Sequence, residues 1–304
     1  MSVLLLALLL TVLLLSLVGA AHWGPANHLE FATRVYRHRR TALRREQAEL
    51  LEANRRAFFY GNIAADIINF KAFGGHYNHC HRWTIVEEMH GLAKTDAEHA
   101  FAFGYLSHLA ADTIAHNHFV PYHLARYQRG GQLGHLYWEM NADRFIDERR
   151  WEIVYEIKCD RRMARLDALV NATVPRRALS MGTNKFLFNH VLLSSESRHW
   201  RSGLQNLQPL AGLRLTRTFL ERFQRAAVAR IELALSPRGL AKLVHVDTNG
   251  KQAQQAALAA RKGLLERLAL RREERESLFE QRAAVFLEGM QSPPPTNGAP
   301  HWEG

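Results

Sequence analysis

Phe103-Gly104-Tyr105-Leu106-Ser107-His108-Leu109-Ala110-Ala111-Asp112-Thr113-Ile114-Ala115-His116-Asn117-His118 is the stretch on which the reading of the whole chain turns. On an α-helix His108, Asp112 and His116 recur at i, i+4 and i+8, so all three project from one face. Leu109, Ala110, Ala111, Ile114 and Ala115 between them are apolar, which makes this a helix buried on most sides. Three polar side chains on a buried helix are costly unless something satisfies them, and divalent metal ions do that well. The alternative is a set of hydrogen bonds among the three in the core.

Outward from that helix, the 304 residues and 47% hydrophobic content suffice for one substantial core. Apolar residues recur mostly at three- and four-residue spacing and no alternating strand pattern appears, so the expected fold is all-α, a single helical domain. Helices are expected to start near Asn27 and to cover about 41–58, 84–92, 96–116, 132–156, 210–235 and 252–289, with a loop over 71–82 and a turn at Arg129-Gly130-Gly131. Ten of the seventeen histidines (His76, His79, His81, His90, His99, His108, His116, His118, His123 and His135) fall within one short stretch, far more than a helical scaffold needs. No GxxxxGK[ST] loop and no CxxC pair occurs, which argues against a nucleotide-driven enzyme and against a zinc ribbon.

The formal net charge of +11 favours an anionic partner: a phospholipid surface, a nucleic acid or a phosphate ester. Part of that charge sits in runs such as Arg37-His38-Arg39-Arg40, which read as solvated helix faces. Ser2 to Ala21 carries no charge and is nearly all Leu, Val and Ala, so residues 1–21 read as a signal peptide or an N-terminal membrane anchor. Val18-Gly19-Ala20-Ala21 offers a cleavage site, whereas the lack of a preceding Lys or Arg and the length of the run favour an anchor. Either way the protein is expected to be exported, periplasmic or secreted, and held at the membrane if the segment stays. Residues 22–290 form the expected helical domain, and Ser292-Pro293-Pro294-Pro295 lies in a tail, 291–304, expected to be disordered.

Further candidate ligands lie on both sides of the central helix. His135 and Glu139 are again spaced i, i+4, and imidazole with carboxylate is a donor set that zinc accepts in open, hydrolytic sites. Asp66 is a lone carboxylate in the apolar run Gly61-Asn62-Ile63-Ala64-Ala65-Asp66-Ile67-Ile68, and His76, His79 and His81 crowd the loop after it. Cys80 stands between two of those histidines, where it is placed to meet a metal or, in an oxidising compartment, to pair with Cys159. Trp83, Tyr105, Phe119 and Tyr122 read as core or as the walls of a substrate groove.

Trp23-Gly24-x-x-x-His28, the Asp66 segment, the His79/His81 loop, His108-x-x-x-Asp112 and His135-x-x-x-Glu139, in that order, resemble the zinc-dependent phospholipase C family. The fungal single-strand-specific nucleases and the catalytic domain of glycosylphosphatidylinositol-specific phospholipase D belong to the same group. The resemblance spans about Trp23 to Asp147 and implies a helical domain that holds two to three Zn2+ ions. It implies that His108 and Asp112 bind one ion with His79 or His81, and that Asp66 adds a carboxylate or acts as the general base. It further implies that His135, Glu139 and a histidine after Asp112 hold a second ion. Trp23, through its amino and carbonyl groups, would hold a third with His28 and a bridging Asp112, which requires processing that leaves Trp23 first. The six-residue spacing of the bacterial phospholipases and nucleases selects His118, and the four-residue spacing of the phospholipase D branch selects His116. A continuous helix favours His116, because i+4 keeps the side chain on the ligand face. The implied activity is hydrolysis of a phospholipid or other phosphodiester by a metal-activated hydroxide, with a nuclease or a non-catalytic metal-binding scaffold as alternatives. Residues 150–290 carry no recognisable motif, and His190, His199 and His245 read as surface or core histidines.

Overall fold

The computed structural model describes residues 23–67, 80–127, 138, 141–174, 215–266, 271–291 and 293–294. The leader, His76, His79, the 129–131 turn, His135, Glu139, His190, His199 and nearly all of the tail lie outside them. The described residues form eleven α-helices and no strand: α1 (Pro25–Ala42), α2 (Arg45–Ala53), α3 (Arg55–Ile67), α4 (Trp83–Leu92), α5 (Asp96–Ile114), α6 (Val120–Tyr127), α7 (Glu148–Cys159), α8 (Ala164–Thr173), α9 (Arg217–Leu235), α10 (Lys251–Leu265) and α11 (Arg272–Ala284). None of them is long and apolar enough to cross a membrane.

Helix boundaries differ from the sequence expectation where side chains compete for the backbone. α1 starts at Pro25 with Gly24 as its N-cap, two residues before Asn27, because proline's fixed φ suits the first helical turn. The helix expected over 41–58 is interrupted twice. Leu43 and Arg44 are extended, and Asn54 ends α2 with its side-chain amide donating to Leu50 O. The segment expected to run from 252 to 289 divides into α10 and α11, followed by a short 3₁₀ turn at Val285–Leu287.

The main correction concerns α5, which was expected to continue through His116. It keeps α geometry only to Ile114 and then widens into a π turn over Ala115–Phe119 before α6. Asn117 Nδ2 donates to Thr113 O at 2.9 Å, occupying the carbonyl that an uninterrupted α-helix would offer to the Asn117 backbone. Such turns are rare and concentrate at functional sites.

The core is built on the crossing of α3 and α5. A Cβ on Gly61 would overlap the Phe101 carbonyl oxygen, and a Cβ on Gly104 would overlap that of Phe58. Two glycines therefore let two helix backbones touch, which sets Asp66 on α3 opposite His108 and Asp112 on α5. Because a backbone cannot yield as a flexible side chain does, Gly104→Ala is expected to cost about 3 kcal/mol, the upper end of overpacking penalties. It should also lower zinc content. A wild-type denaturation midpoint together with a wild-type zinc content would contradict this account of the crossing. α9 closes the other side of α5, and its buried Arg230 donates through Nη1 to Thr113 Oγ1 at 3.0 Å.

Candidate metal centre

Five of the expected ligands converge. Asp112, fully buried on α5, lies between three histidines: its Oδ1 is 3.3 Å from His28 Nε2, and its Oδ2 is 3.3 Å from His81 Nε2 and 3.1 Å from His108 Nε2. Asp66 closes the group from α3, with Oδ2 3.8 Å from His28 Nε2 and Oδ1 3.8 Å from His108 Nε2. His28 comes from α1, and its ring stacks on that of His108 with centroids 3.9 Å apart. Two triads in this cluster have donor atoms close enough to share an ion: His28, His108 and Asp112, and Asp66, His81 and His108.

The tautomers favour metal binding. His108 Nδ1 lies 2.9 Å from Asn62 O, a carbonyl that can only accept, so Nδ1 carries the hydrogen and Nε2 turns its lone pair toward Asp112. His81 Nδ1 lies 3.1 Å from Cys80 Sγ, and its Nε2 lies 3.0 Å from His108 Nε2. Cys80 therefore supports a candidate ligand from behind. No disulfide joins it to Cys159, which is exposed. Tyr105, expected as core or groove, is buried and donates to Cys80 O at 2.7 Å, shaping the same segment.

Electrostatics point the same way. Burial and the neighbouring His108 hold His28 below the usual imidazole range. Burial also works to lower His108, yet the Asp112 and Asp66 carboxylates outweigh it and raise its pKa. Stacked imidazoles cannot both carry a proton comfortably beside a third histidine. A divalent cation supplies positive charge between the carboxylates without that conflict, and fully buried His28 turns Nε2 to both Asp112 and Asp66 while its Nδ1 has no hydrogen bond. The residues present thus fit a metal ion.

Trp23 enters this site by its indole. The ring is fully buried, stacks on Phe119 at 4.7 Å, meets Phe31 edge-on at 5.5 Å, and donates from Nε1 to Ala111 O at 3.2 Å. This pins the first described residue beside Asp112. His116 and His118 sit in the π turn, both buried, and each turns Nδ1 to a backbone carbonyl: His116 to Thr248 O, His118 to Phe286 O at 3.0 Å. Both tautomers place the lone pair on Nε2. Of the remaining aromatics, Phe119 is buried, Trp83 donates to Val246 O at 3.0 Å, and Tyr122 donates to Glu280 at 3.0 Å.

Two contributions escaped the sequence reading. The 246–250 loop lies across the site: Thr248 Oγ1 donates to His81 O, Asn117 Nδ2 donates to Asp247 O at 2.7 Å, and Gly250 packs on the His116 backbone. Gly250 has φ +58, where a side chain would be strained and would also strike His116. Asp143 is the other. It is buried, accepts from Asn27, and is pushed up to about 8 by its burial, against the pull of its Asn27 and Ala26 hydrogen bonds. A signal for it existed, since Asp143 follows His135 and Glu139 at the spacing that singled out His108, Asp112 and His116.

An all-helical protein with a buried cluster of histidines and carboxylates able to hold a metal ion is the class that this fold and site define. The family model for zinc-dependent phospholipase C matches residues 27–181, and the chain belongs to that family. No curated protein and no solved structure gives a significant match.

Proposed function

We propose that the protein is a phospholipase C-type zinc hydrolase that cleaves the phosphodiester bond of phospholipids. The observation that carries this reading is the position of Asp112, whose two carboxylate oxygens face different histidines and are placed to serve two ions at once. His28 with Asp112, and Asp66 with His81, His108 and Asp112, would hold two of the ions. His135, Glu139 and a histidine of the π turn are proposed for another, and the Trp23 backbone for the His28 side. Bound zinc would lower the pKa of a water toward about 7 and offset the charge on the phosphoryl oxygens. Asp66 is the one described carboxylate of the cluster with side-chain exposure, 9% against 0% for Asp112, which supports it as the group that meets water and substrate. In that position it orients the water and accepts its proton as the oxygen bonds to phosphorus. The bond from phosphorus to the glycerol oxygen breaks, and the proton that Asp66 took from the water passes to that oxygen as it leaves. The net charge of +11 supports an anionic membrane surface as the place of action, and residues 2–21 are proposed to export or anchor the chain.

The test joins metal content to turnover. Protein refolded with zinc and dialysed is expected to hold two to three equivalents, and to hydrolyse members of a phospholipid panel in a zinc-dependent way. Less than one equivalent defeats the metal reading. Zinc-dependent cleavage of single-stranded DNA with no lipid turnover makes the protein a nuclease, and full zinc content without either activity makes it a scaffold.

A further inference from the structure

Gly24 has no side chain to cap α1, and Pro25 at the first helical position has no N–H. Ala26 N is an orphan donor of a helix start and needs an acceptor, which Asn27 N, already 3.0 Å from Gly24 O, shares. Asp143, 116 residues further along the chain, supplies it: Asn27 N donates to its Oδ1 at 3.2 Å, Asn27 Nδ2 donates to the same oxygen, and Ala26 N bonds to the carboxylate. The carboxylate lies so close to Gly24 that a Cβ there would overlap it, which accounts for glycine at that position. Asn27 is held on its other side by Gln224 of α9, whose Nε2 donates to Asn27 Oδ1 at 2.9 Å, and Gln224 Oε1 accepts from Arg34 at 3.3 Å.

We propose that Asp143 is a positioning residue that caps α1 in trans and thereby fixes Trp23 and His28 against Asp112. Trp23 and His28 flank the capped residues directly, so the clamp sets where the α1 side of the centre lies relative to α5. Asp66, His81 and His108 belong to other elements, and Asp143 does not hold them. Loss of the clamp therefore acts on one ion and spares another. This rests on the proposed metal centre and deepens it.

Zinc stoichiometry and affinity of the full chain, read by titration calorimetry and elemental analysis, provide the test without reference to turnover. Asp143→Ala is expected to lose about one equivalent while the tightest ion stays and the helical circular dichroism is unchanged. Asp143→Asn keeps an acceptor oxygen and should restore that ion to within about tenfold of the parent affinity. Asn27→Ala, which removes the side-chain leg and the Gln224 bond but keeps both backbone legs, is expected to weaken the same ion by about tenfold, in the range seen for residues behind a ligand. This variant decides the matter should Asp143→Ala not fold. An unchanged zinc complement and affinity in Asp143→Ala and Asn27→Ala overturns the proposal, and so does loss of every ion together. A parent protein that turns over no lipid but binds zinc leaves the prediction standing, whereas a parent that binds none overturns the site reading and this proposal with it.

Discussion

Asp112→Asn is expected to abolish at least one zinc site and to lower phosphodiester turnover by more than about a hundredfold, beyond the 10- to 100-fold typical of residues behind the ligands. The carboxylate meets His28 through Oδ1 and both His81 and His108 through Oδ2, with no exposed surface. Asparagine offers one neutral oxygen and a nitrogen that donates rather than accepts, so whichever way the amide turns, one side of the cluster faces the wrong group. The side group is nearly isosteric, and a loss cannot be assigned to a cavity. Elemental analysis beside activity separates two outcomes: a variant with full zinc and full turnover removes the bridging role, and one with full zinc but no turnover moves Asp112 from metal binding to some other task.

The sequence made the α5 side of this centre legible because one spacing falls on a single helical face. His108 and Asp112 are four apart, the segment is otherwise apolar, and burial of polar groups in such a setting demands a partner. The contribution of Asp66 was legible for the same reason, as a lone charge in an apolar run. What could not be read is how α3 meets α5. Gly61 and Gly104 are unremarkable in sequence, and only the contact of two backbones shows why each lacks a side chain. The Asp143 clamp and the 246–250 loop were hidden because both work through partners more than a hundred residues away, at Asn27, His81 and His116. Local periodicity carries no information about such pairings.

The loop also changes how residues beyond the family match are understood. Residues 27–181 carry the match, yet Thr248 bonds to the backbone of one candidate ligand and accepts from the ring of another. A histidine that donates from Nδ1 to a fixed carbonyl has its tautomer and orientation set before any ion arrives. The C-terminal helices α9 to α11 thus do more than cover the core. The loop before α10 and the 3₁₀ turn after α11 carry the carbonyls of Thr248 and Phe286, which orient the two histidines of the π turn.

Those two histidines are distinguished by the remaining prediction. An α-helix advances about 100° per residue, which would return His116 to within about 40° of the Asp112 direction and leave His118 about 120° away. The π turn over Ala115–Phe119 removes the premise of that comparison, since its wider winding advances each residue by less. Connectivity supplies a separate argument. His116 donates to Thr248 O, and Thr248 in turn donates to His81 O, so a single residue ties the His116 ring to a member of the Asp112 cluster. His118 is tied instead to Phe286, at the 3₁₀ turn after α11. His116→Ala is therefore expected to lose one zinc equivalent and at least about a hundredfold in turnover, whereas His118→Ala should cost about tenfold or less, as for a supporting partner. Zinc content and turnover of the two single variants, measured side by side, decide between them. If His118→Ala loses the ion and His116→Ala keeps it, the π turn serves to bring the sixth residue after Asp112 to the metal, and the Thr248 contact of His116 is structural only.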